Sequence, residues 1–126
     1  MPAPDPAERD RLFRTFGRAW FKRDLDLLYE VVTPDFEWRS VDRTGTARLI
    51  KSRAGISEVF AAQAASKDRV GFSDVVYHHA PEASFMTFRL TETEAATNTV
   101  HEQLGIERYT FRDGRIATKD VYRKQA

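Results

Sequence analysis

The sequence contains no cysteine, no long apolar run and no excess of charge of either sign. The absence of cysteine excludes disulfides, thiol catalysis, iron–sulfur clusters and cysteine zinc sites. A membrane-spanning helix needs about 18 consecutive apolar residues, and the sequence has no such run. Lysine and arginine total 20 against 19 aspartates and glutamates, which gives a net charge of +1. This balance indicates neither a nucleic acid nor a membrane as a partner.

The first ten residues, MPAPDPAERD, lack the apolar core of a secretory signal, so we expect a cytoplasmic protein. A chain of 126 residues suits one domain, residues 1–126. Nine phenylalanines, four tyrosines and two tryptophans are enough to build an aromatic-rich core. Composition therefore predicts a soluble globular domain and indicates no particular substrate.

Helix signals dominate the first half of the chain. Asp5-Pro6-Ala7-Glu8 combines an N-cap acid, a proline at the first helical position and a glutamate three residues after the cap. Apolar residues then recur at helical spacing from Leu12 to Trp20. Asp24 predicts the cap of a short second helix that ends before Pro34, and Ser52 predicts the cap of a third helix reaching about residue 66.

Strand signals follow each of the last two helices. Residues 35–42 alternate and predict a first strand, and residues 46–51 predict a short second one. From Asp68 onward the period changes from 3.6 to 2, and Asp113-Gly114 predicts a type I′ hairpin turn. The four remaining strands are predicted at 69–79, 83–91, 98–112 and 115–123. Short links between them predict an antiparallel meander, and hence an α+β fold with the helices on one face of the sheet.

This order of elements resembles the nuclear-transport-factor-2-like superfamily, which includes ketosteroid isomerases, SnoaL-like polyketide cyclases and limonene epoxide hydrolases. The segment KRDLDLLYEVVTPDFEWRS resembles the second helix and first strand of the superfamily, and IERYTFRDGRIATKDVYRK resembles its final hairpin. The resemblance implies three N-terminal helices packed in the concave face of a strongly curved, mostly antiparallel sheet. It also implies a cone-shaped α+β barrel with an apolar pocket, and homodimers through the outer sheet face.

The resemblance does not carry over the chemistry of the isomerases. Their aspartate base falls on Ser40, and the tyrosine that stabilises their oxyanion falls on Phe16. Their second oxyanion donor, a protonated aspartate, falls on Glu107. Two of the three roles are therefore lost, and we expect no steroid isomerisation.

The resemblance does not carry over epoxide hydrolysis either. Arg89 keeps the arginine of the fourth strand, but Thr91 stands where those hydrolases have an aspartate. Their last-strand carboxylate falls on Val121, with Asp120 beside it. The carboxylate that activates water in those enzymes is therefore out of place.

Strand alternation predicts which side chains face the interior if Trp38 does. On the two-residue Asp113-Gly114 turn, Tyr109 is expected to face Thr118, and Asp120 to lie near Glu107. The inward-facing residues expected on the three longer strands before that turn are Phe72, Asp74, Val76 and His78; Phe85, Thr87 and Arg89; and His101, Gln103, Gly105, Glu107, Tyr109 and Phe111.

Glu107, Asp120 and Arg89 are the catalytic candidates. Two neighbouring carboxyl groups cannot both ionise cheaply, so Glu107 and Asp120 together would provide a general acid/base, unless a nearby arginine neutralises them. Arg89 would hold an anionic oxygen of a ligand, or else form a salt bridge with Asp74, which the register places opposite it. Tyr109 would help to stabilise charge.

The candidate ligand-binding residues are polar or aromatic side chains expected on the interior face: Phe16, Phe36, Trp38, Ser40, His78, His101, Gln103 and Tyr109. The three histidines, His78, His79 and His101, have no metal-binding spacing, because consecutive residues on a strand point to opposite faces. Ser40 has no evident triad partners. No metal and no cofactor are expected.

Two functions remain open at this point. The first is a small-molecule-binding domain, with or without acid–base catalysis of isomerase, cyclase or hydrolase type, for a small apolar molecule with a polar end. The second is a non-catalytic dimerisation or protein-binding module, because Val75, Tyr77, Leu104, Ile106 and Val121 are expected to form an apolar outer face. An open pocket beside a buried Glu107 would favour the first function. A solid core with Glu107 in a closed ion pair would favour the second.

Overall fold

The computed structural model describes residues 3–126 and contains three helices and six strands within them. The helices and strands, in chain order, are α1 Pro6–Lys22, α2 Leu25–Val31, β1 Val32–Val41, β2 Ala47–Ile50, α3 Arg53–Ala65, β3 Arg69–His79, β4 Ala83–Thr93, β5 Val100–Arg112 and β6 Arg115–Gln125. The predicted α+β class and the order of its elements are confirmed.

Side-chain caps set the starts of the helices, as the sequence predicts. Asp5 accepts a hydrogen bond from the backbone N–H of Glu8 at 2.9 Å, and Ser52 accepts one from Gly55 at 2.9 Å. Asp24 caps α2 in the same way. β1 begins at Val32, three residues earlier than expected, because the chain is already extended before Pro34.

The six strands form one open sheet in the order β2-β1-β6-β5-β4-β3, so the sheet does not close into the barrel that the resemblance implies. The predicted antiparallel meander from β3 to β6 is confirmed. β1 pairs antiparallel with β2 and parallel with β6, so the sheet is mixed. This parallel pair brings the first strand beside the last and lets side chains from both ends of the chain share one site.

Helix α1 packs through its aromatic side chains against one side of the sheet, which we call the helix-covered face; the opposite side is the outer face. The Phe13 ring lies 4.8 Å from the Tyr109 ring between centroids. Trp20 meets Trp38 of β1 edge-on at 4.6 Å and Phe60 of α3 at 5.2 Å. α1 thus joins the sheet to α3, and the aromatic core lies between them.

A bulge in β3 reverses the expected orientation of two strands. Phe72 pairs with Leu90 and faces the helices as predicted, but Asp74 takes a left-handed conformation with φ of 54° and the register shifts there. Beyond it, Tyr77 pairs with Met86 on the helix-covered face. The predicted inward orientation is therefore wrong for Val76, His78, Phe85, Thr87 and Arg89.

A second bulge lies in β6. The two-residue turn at Asp113 and Gly114 is confirmed, and Phe111 pairs with Ile116 as expected. The register then shifts by one residue, so Tyr109 pairs with Lys119 instead of Thr118. Beyond this point every β6 side chain is on the opposite face from the one predicted.

Candidate functional site

The strongest cluster of titratable groups lies on the helix-covered face of β5 and β6. Glu107 and Tyr109 are two residues apart on β5 and so share a face, and Lys119 pairs with Tyr109 across the sheet. Glu107, Tyr109 and Lys119 are 5%, 2% and 6% exposed, respectively. The Tyr109 hydroxyl donates a hydrogen bond to Oε1 of Glu107, and Lys119 Nζ lies 3.8 Å from the same oxygen. The three side chains form one buried polar unit.

Aromatic rings enclose the Lys119 ammonium group on its other sides. Its Nζ lies 3.7 Å from the ring centroid of Trp20, 5.2 Å from that of Trp38 and 5.5 Å from that of Phe16. The negative faces of aromatic rings attract a cation at such distances. The amine therefore lies between one carboxylate and three rings that come from α1 and β1.

Burial changes the acidity of the groups in this cluster. It lowers the pKa of Lys119, and the Glu107 carboxylate opposes that change. Burial raises the pKa of Tyr109 well above its usual value, and the negative charge of Glu107 adds to the effect. Tyr109 therefore stays a neutral hydrogen-bond donor at neutral pH, while Lys119 releases its proton more readily than an exposed lysine.

A second polar group lies further along the same face, on the ends of β5 and β6. Gln103 donates to the carbonyl oxygen of Arg43 at 3.1 Å, and Arg123 donates to that of Val41 at 3.0 Å and to Glu92. Three buried atoms on this face have no hydrogen-bond partner within residues 3–126: Trp38 Nε1, Gln103 Oε1 and Arg123 Nε. Unpaired buried polar atoms are rare, and they are found where a ligand or a water completes the site.

The predicted interior residues Phe16, Phe36, Trp38, Gln103, Glu107 and Tyr109 are all buried in the structure. Ser40 and His101 share faces with Trp38 and Gln103 by alternation and are partly exposed. His101 bonds Glu94 at 2.7 Å. The role of each residue in binding or catalysis remains a prediction.

Arg89 and Asp120 do not reach this cluster, contrary to expectation, because the two bulges place both on the outer face. Arg89 lies 3.9 Å from Asp74, which is the salt bridge considered as its alternative role. Asp120 pairs with Arg108 across the sheet and accepts a hydrogen bond from the Tyr122 hydroxyl at 2.9 Å. It is therefore remote from Glu107, whose cross-strand neighbour is Val121.

His78 is also misplaced, since it is exposed on the outer face and 3.2 Å from Thr87 Oγ1. Its neighbour His79 turns toward the helices instead and bonds Ser84 Oγ at 2.7 Å and Asp10 at 2.9 Å. Among residues 3–126, no three histidine or acidic side chains come together in a way that could hold a metal ion. No helix in that range is long and apolar enough to cross a membrane.

Sequence reasoning missed Lys119 altogether. Lysine is among the residues least often buried, and the segment ATKDVYRK carries no signal for the bulge that turns this side chain inward. With a regular register, Thr118 would have occupied its place. Strand alternation alone therefore predicts the wrong side chain at this position and does not indicate that the site contains a cation.

Two of the surface cavities formed by residues 3–126 differ in place and in lining. One, of about 440 Å³, lies between β2 and the start of α3, around Ile50, Ser52 and Gly55. The other, of about 360 Å³, is a shallow apolar groove on the outer face beside Leu104, Ile106 and Tyr122. Neither has a residue of the Glu107 cluster in its lining.

A family model described as SnoaL-like domain matches residues 13–119. A search of curated proteins finds no match.

Solved structures match the fold across nearly the whole chain. An NTF2-like protein from Burkholderia xenovorans LB400 has a TM-score of 0.78 at 17% identity, covering 94% of this chain and 90% of that one. A candidate polyketide cyclase from Xanthomonas campestris pv. campestris has a TM-score of 0.72 at 15% identity, covering 94% and 92%. SalBIII, an epoxide hydrolase/cyclase-like enzyme of pyran ring formation in salinomycin, has a TM-score of 0.68 at 14% identity, covering 95% and 93%. At these identities the likeness shows a shared fold alone.

Proposed function

The chain belongs to the SnoaL-like domain family, and from this premise we propose that it binds a small apolar molecule with one polar end. The ligand lies on the helix-covered face, and its polar end meets Glu107, Tyr109 and Lys119. In this proposal the sheet curves around the helices, as the family resemblance implies, and the packed aromatic side chains of this face move apart to admit the ligand. The bound molecule undergoes acid–base chemistry there.

The buried cluster of Glu107, Tyr109 and Lys119 is the observation that carries this proposal. An ion pair removed from water adds little stability compared with apolar residues of the same volume. Strongly perturbed titratable groups in apolar surroundings are instead frequent at functional sites. Both contacts to the carboxylate use Oε1, and a ligand hydroxyl can therefore donate to Oε2. The unpaired atoms of Trp38 and Gln103 support a ligand nearby.

Access to the face is from the β3 edge. Val70 and Phe72 lie on the helix-covered face, but 57% and 55% of their surface is exposed because α1 packs on the other half of β3. The Phe72 ring leads to the buried Phe88 ring at 5.2 Å, and Phe88 lies directly over Gly105, which has no side chain. Rotation of one or two aromatic side chains would open a path from this edge toward Glu107.

Two kinds of chemistry are proposed for the cluster. One is proton transfer, and the other is the addition to the ligand of water or of one of the ligand's own hydroxyl groups. Glu107 takes and returns the proton, while Tyr109 and Lys119 stabilise negative charge on the ligand oxygen. By the family resemblance, Ser40 and Val121 stand where the isomerases have their base and the epoxide hydrolases their carboxylate, so the proposed base differs from both. The cyclase and epoxide hydrolase relatives in the same fold support ring-forming or water-adding reactions as the class.

Binding is tested by titrating the protein with 1-naphthol, an apolar aromatic compound with one hydroxyl group. The signal is the fluorescence of the two tryptophans, Trp20 and Trp38. We expect saturable quenching, because both indoles adjoin Lys119. Glu107→Gln should weaken binding by about tenfold or more, since a hydrogen bond to a carboxylate is worth about 1.5–3 kcal/mol. Glu102→Gln, exposed on the same strand, is the matched control and should bind as the wild type does. Equal binding by the two variants would contradict the role of Glu107.

The second candidate function is a dimerisation module without catalysis, and two observations favour it. Glu107 is already held in an ion pair within a packed core. In addition, Val76, Thr87, Ile106 and Tyr122 form one cross-strand row on the outer face, where three of the four are exposed apolar side chains. The expected outer-face residues Tyr77 and Val121 face the helices instead, so the apolar patch is built differently from the one predicted.

A homodimer through this row is compatible with either function and is tested by the mass of the particle in solution. Ile106→Arg places a charge in the centre of the patch and is expected to convert a dimer to a monomer in analytical ultracentrifugation. Leu49→Arg, at an equally exposed apolar position on β2, should leave the dimer intact. A monomeric wild type, or the same mass for all three proteins, would overturn the proposal.

A further inference from the structure

Lys119 has a property that the proposed acid–base role does not use. A lysine amine is a nucleophile once it has lost its proton, whereas the guanidinium of an arginine is not. The chain has five lysines, and Lys22, Lys51, Lys67 and Lys124 are all exposed. Lys119 alone is buried, with a carboxylate 3.8 Å from its nitrogen and an aromatic ring 3.7 Å away.

We infer that Lys119 forms an imine with an aldehyde or ketone group of the molecule bound in this site. The inference rests on the proposed function, which places the polar end of the ligand against Glu107 and Lys119. It narrows the ligand class to small apolar carbonyl compounds. Trp20 and Trp38, which contact each other edge-on, form one apolar wall beside the new bond.

The step balances with the groups present. Glu107 accepts a proton from the Lys119 ammonium, and the free amine adds to the carbonyl carbon to give a carbinolamine. Glu107 returns the proton to the carbinolamine oxygen, which leaves as water while the C=N bond forms. One water is released, and no oxidant or reductant takes part. The nitrogen keeps its position between the carboxylate and the rings throughout.

The surroundings of Lys119 favour both the formation of the imine and its protection from hydrolysis. Burial lowers the pKa of Lys119, so a larger fraction of its amine is free at neutral pH than for an exposed lysine. The rings of Trp20, Trp38 and Phe16 restrict water, which would otherwise hydrolyse the imine. Once formed, a protonated imine withdraws electrons from the neighbouring carbon. Glu107, whose Oε1 lies 3.8 Å from the Lys119 nitrogen, would then be the base that removes a proton from that carbon.

The experiment traps the imine in the intact, unmodified protein. The protein is incubated at neutral pH with 2-naphthaldehyde and sodium cyanoborohydride, which reduces an imine to a stable secondary amine, and the peptides are mapped by mass spectrometry. We expect Lys119 to be modified several-fold faster than the exposed Lys124, because burial lowers the pKa of Lys119 and the bound carbonyl group lies against its amine.

The inference is overturned if Lys119 is modified no faster than Lys124. Quenching of tryptophan fluorescence by 1-naphthol, measured on the same sample, tests the proposed function separately. If 1-naphthol binds and Lys119 is not modified preferentially, the imine fails and the binding function stands. If neither occurs, both fail.

Discussion

Replacing Arg9 with methionine is expected to lower the free energy of unfolding by about 3–5 kcal/mol, because several oxygen acceptors lose their hydrogen-bond donor and each buried one costs about 1–3 kcal/mol. Arg9 is only 4% exposed and lies on α1, yet no carboxylate forms a salt bridge with it within residues 3–126. Its guanidinium is surrounded by oxygen acceptors and also lies 4.9 Å from the ring centroid of Phe111. The acceptors are the carbonyl oxygens of Pro4, Ala80, Pro81 and Ala83 and the hydroxyl of Ser84.

These acceptors explain the size of the effect. The connection between β3 and β4 turns its carbonyl groups toward α1, and Arg9 satisfies several of them with one planar, five-donor group. Methionine fills a similar volume but donates no hydrogen bond. Each buried acceptor left without a partner costs about 1–3 kcal/mol. The contacts to Ala83 and Ser84 are buried, and those to the other acceptors are partly buried.

The measurement is urea unfolding followed by tryptophan fluorescence. Arg11→Met is the matched control on the same helix, because Arg11 is exposed and bonds only Glu8. We expect the control to change stability by less than about 0.5 kcal/mol. Arg9→Lys should fall between wild type and Arg9→Met, because an ammonium group keeps the charge but cannot span the same set of carbonyls. Equal stability of Arg9→Met and Arg11→Met would show that the contacts of Arg9 do not hold α1 to the sheet.

Arg9 and the helix caps illustrate what kind of information the sequence carries. Caps and turns depend on residues within a few positions of one another, so Asp5, Asp24, Ser52 and the Asp113-Gly114 turn predict element boundaries correctly. The contacts of Arg9 with the β3–β4 connection span more than 70 positions, and nothing local in the sequence indicates them. Local chemistry therefore predicted the elements, while long-range packing decided which charges are buried.

The faces of the strands were predicted less well, for one physical reason. Each bulge adds one residue to a strand, and one added residue turns every later side chain to the other face. Asp74 tolerates the left-handed conformation of its bulge, but aspartate occurs in many other settings and does not mark one. β5 contains no bulge in its pairing with β4, and there the interior positions of Gln103, Glu107 and Tyr109 agree with the prediction.

The candidate site shows the same difference between strands with regular alternation and strands with a bulge. Glu107 and Tyr109 were predicted on the interior face because regular alternation holds on β5, and the inward orientation of Trp38, from which that prediction started, agrees with its burial. Lys119 was not predicted, because its orientation depends on the β6 bulge. The partner of Glu107 thus changed from a second carboxylate to a cation. In a carboxylate pair, repulsion between the two negative charges would have raised the pKa of one carboxyl group. The observed pair of one carboxylate and one ammonium group has no net charge.

Lys119→Met is expected to lower the free energy of unfolding by about 3–5 kcal/mol, because it leaves the Glu107 carboxylate buried without its cation. Methionine keeps the packing against Trp20 and Trp38, so the loss reports mainly on charge. Glu107→Gln is expected to destabilise less, since an amide still accepts the hydrogen bond from Tyr109 and the rings still hold the ammonium. Urea unfolding of both variants measures the two effects.

The double variant decides whether the two charges act as a pair. If they do, Lys119→Met combined with Glu107→Gln removes both charges together, and its loss of stability should be smaller than the sum of the single losses by about 2 kcal/mol. The exposed pair Glu37 and Arg39, 3.3 Å apart on β1, is the control and should couple by less than about 1 kcal/mol. Additive losses at Glu107 and Lys119 would mean that the aromatic rings alone hold the amine. Glu107 would then have no direct route for taking the Lys119 proton, and the imine chemistry would need another base.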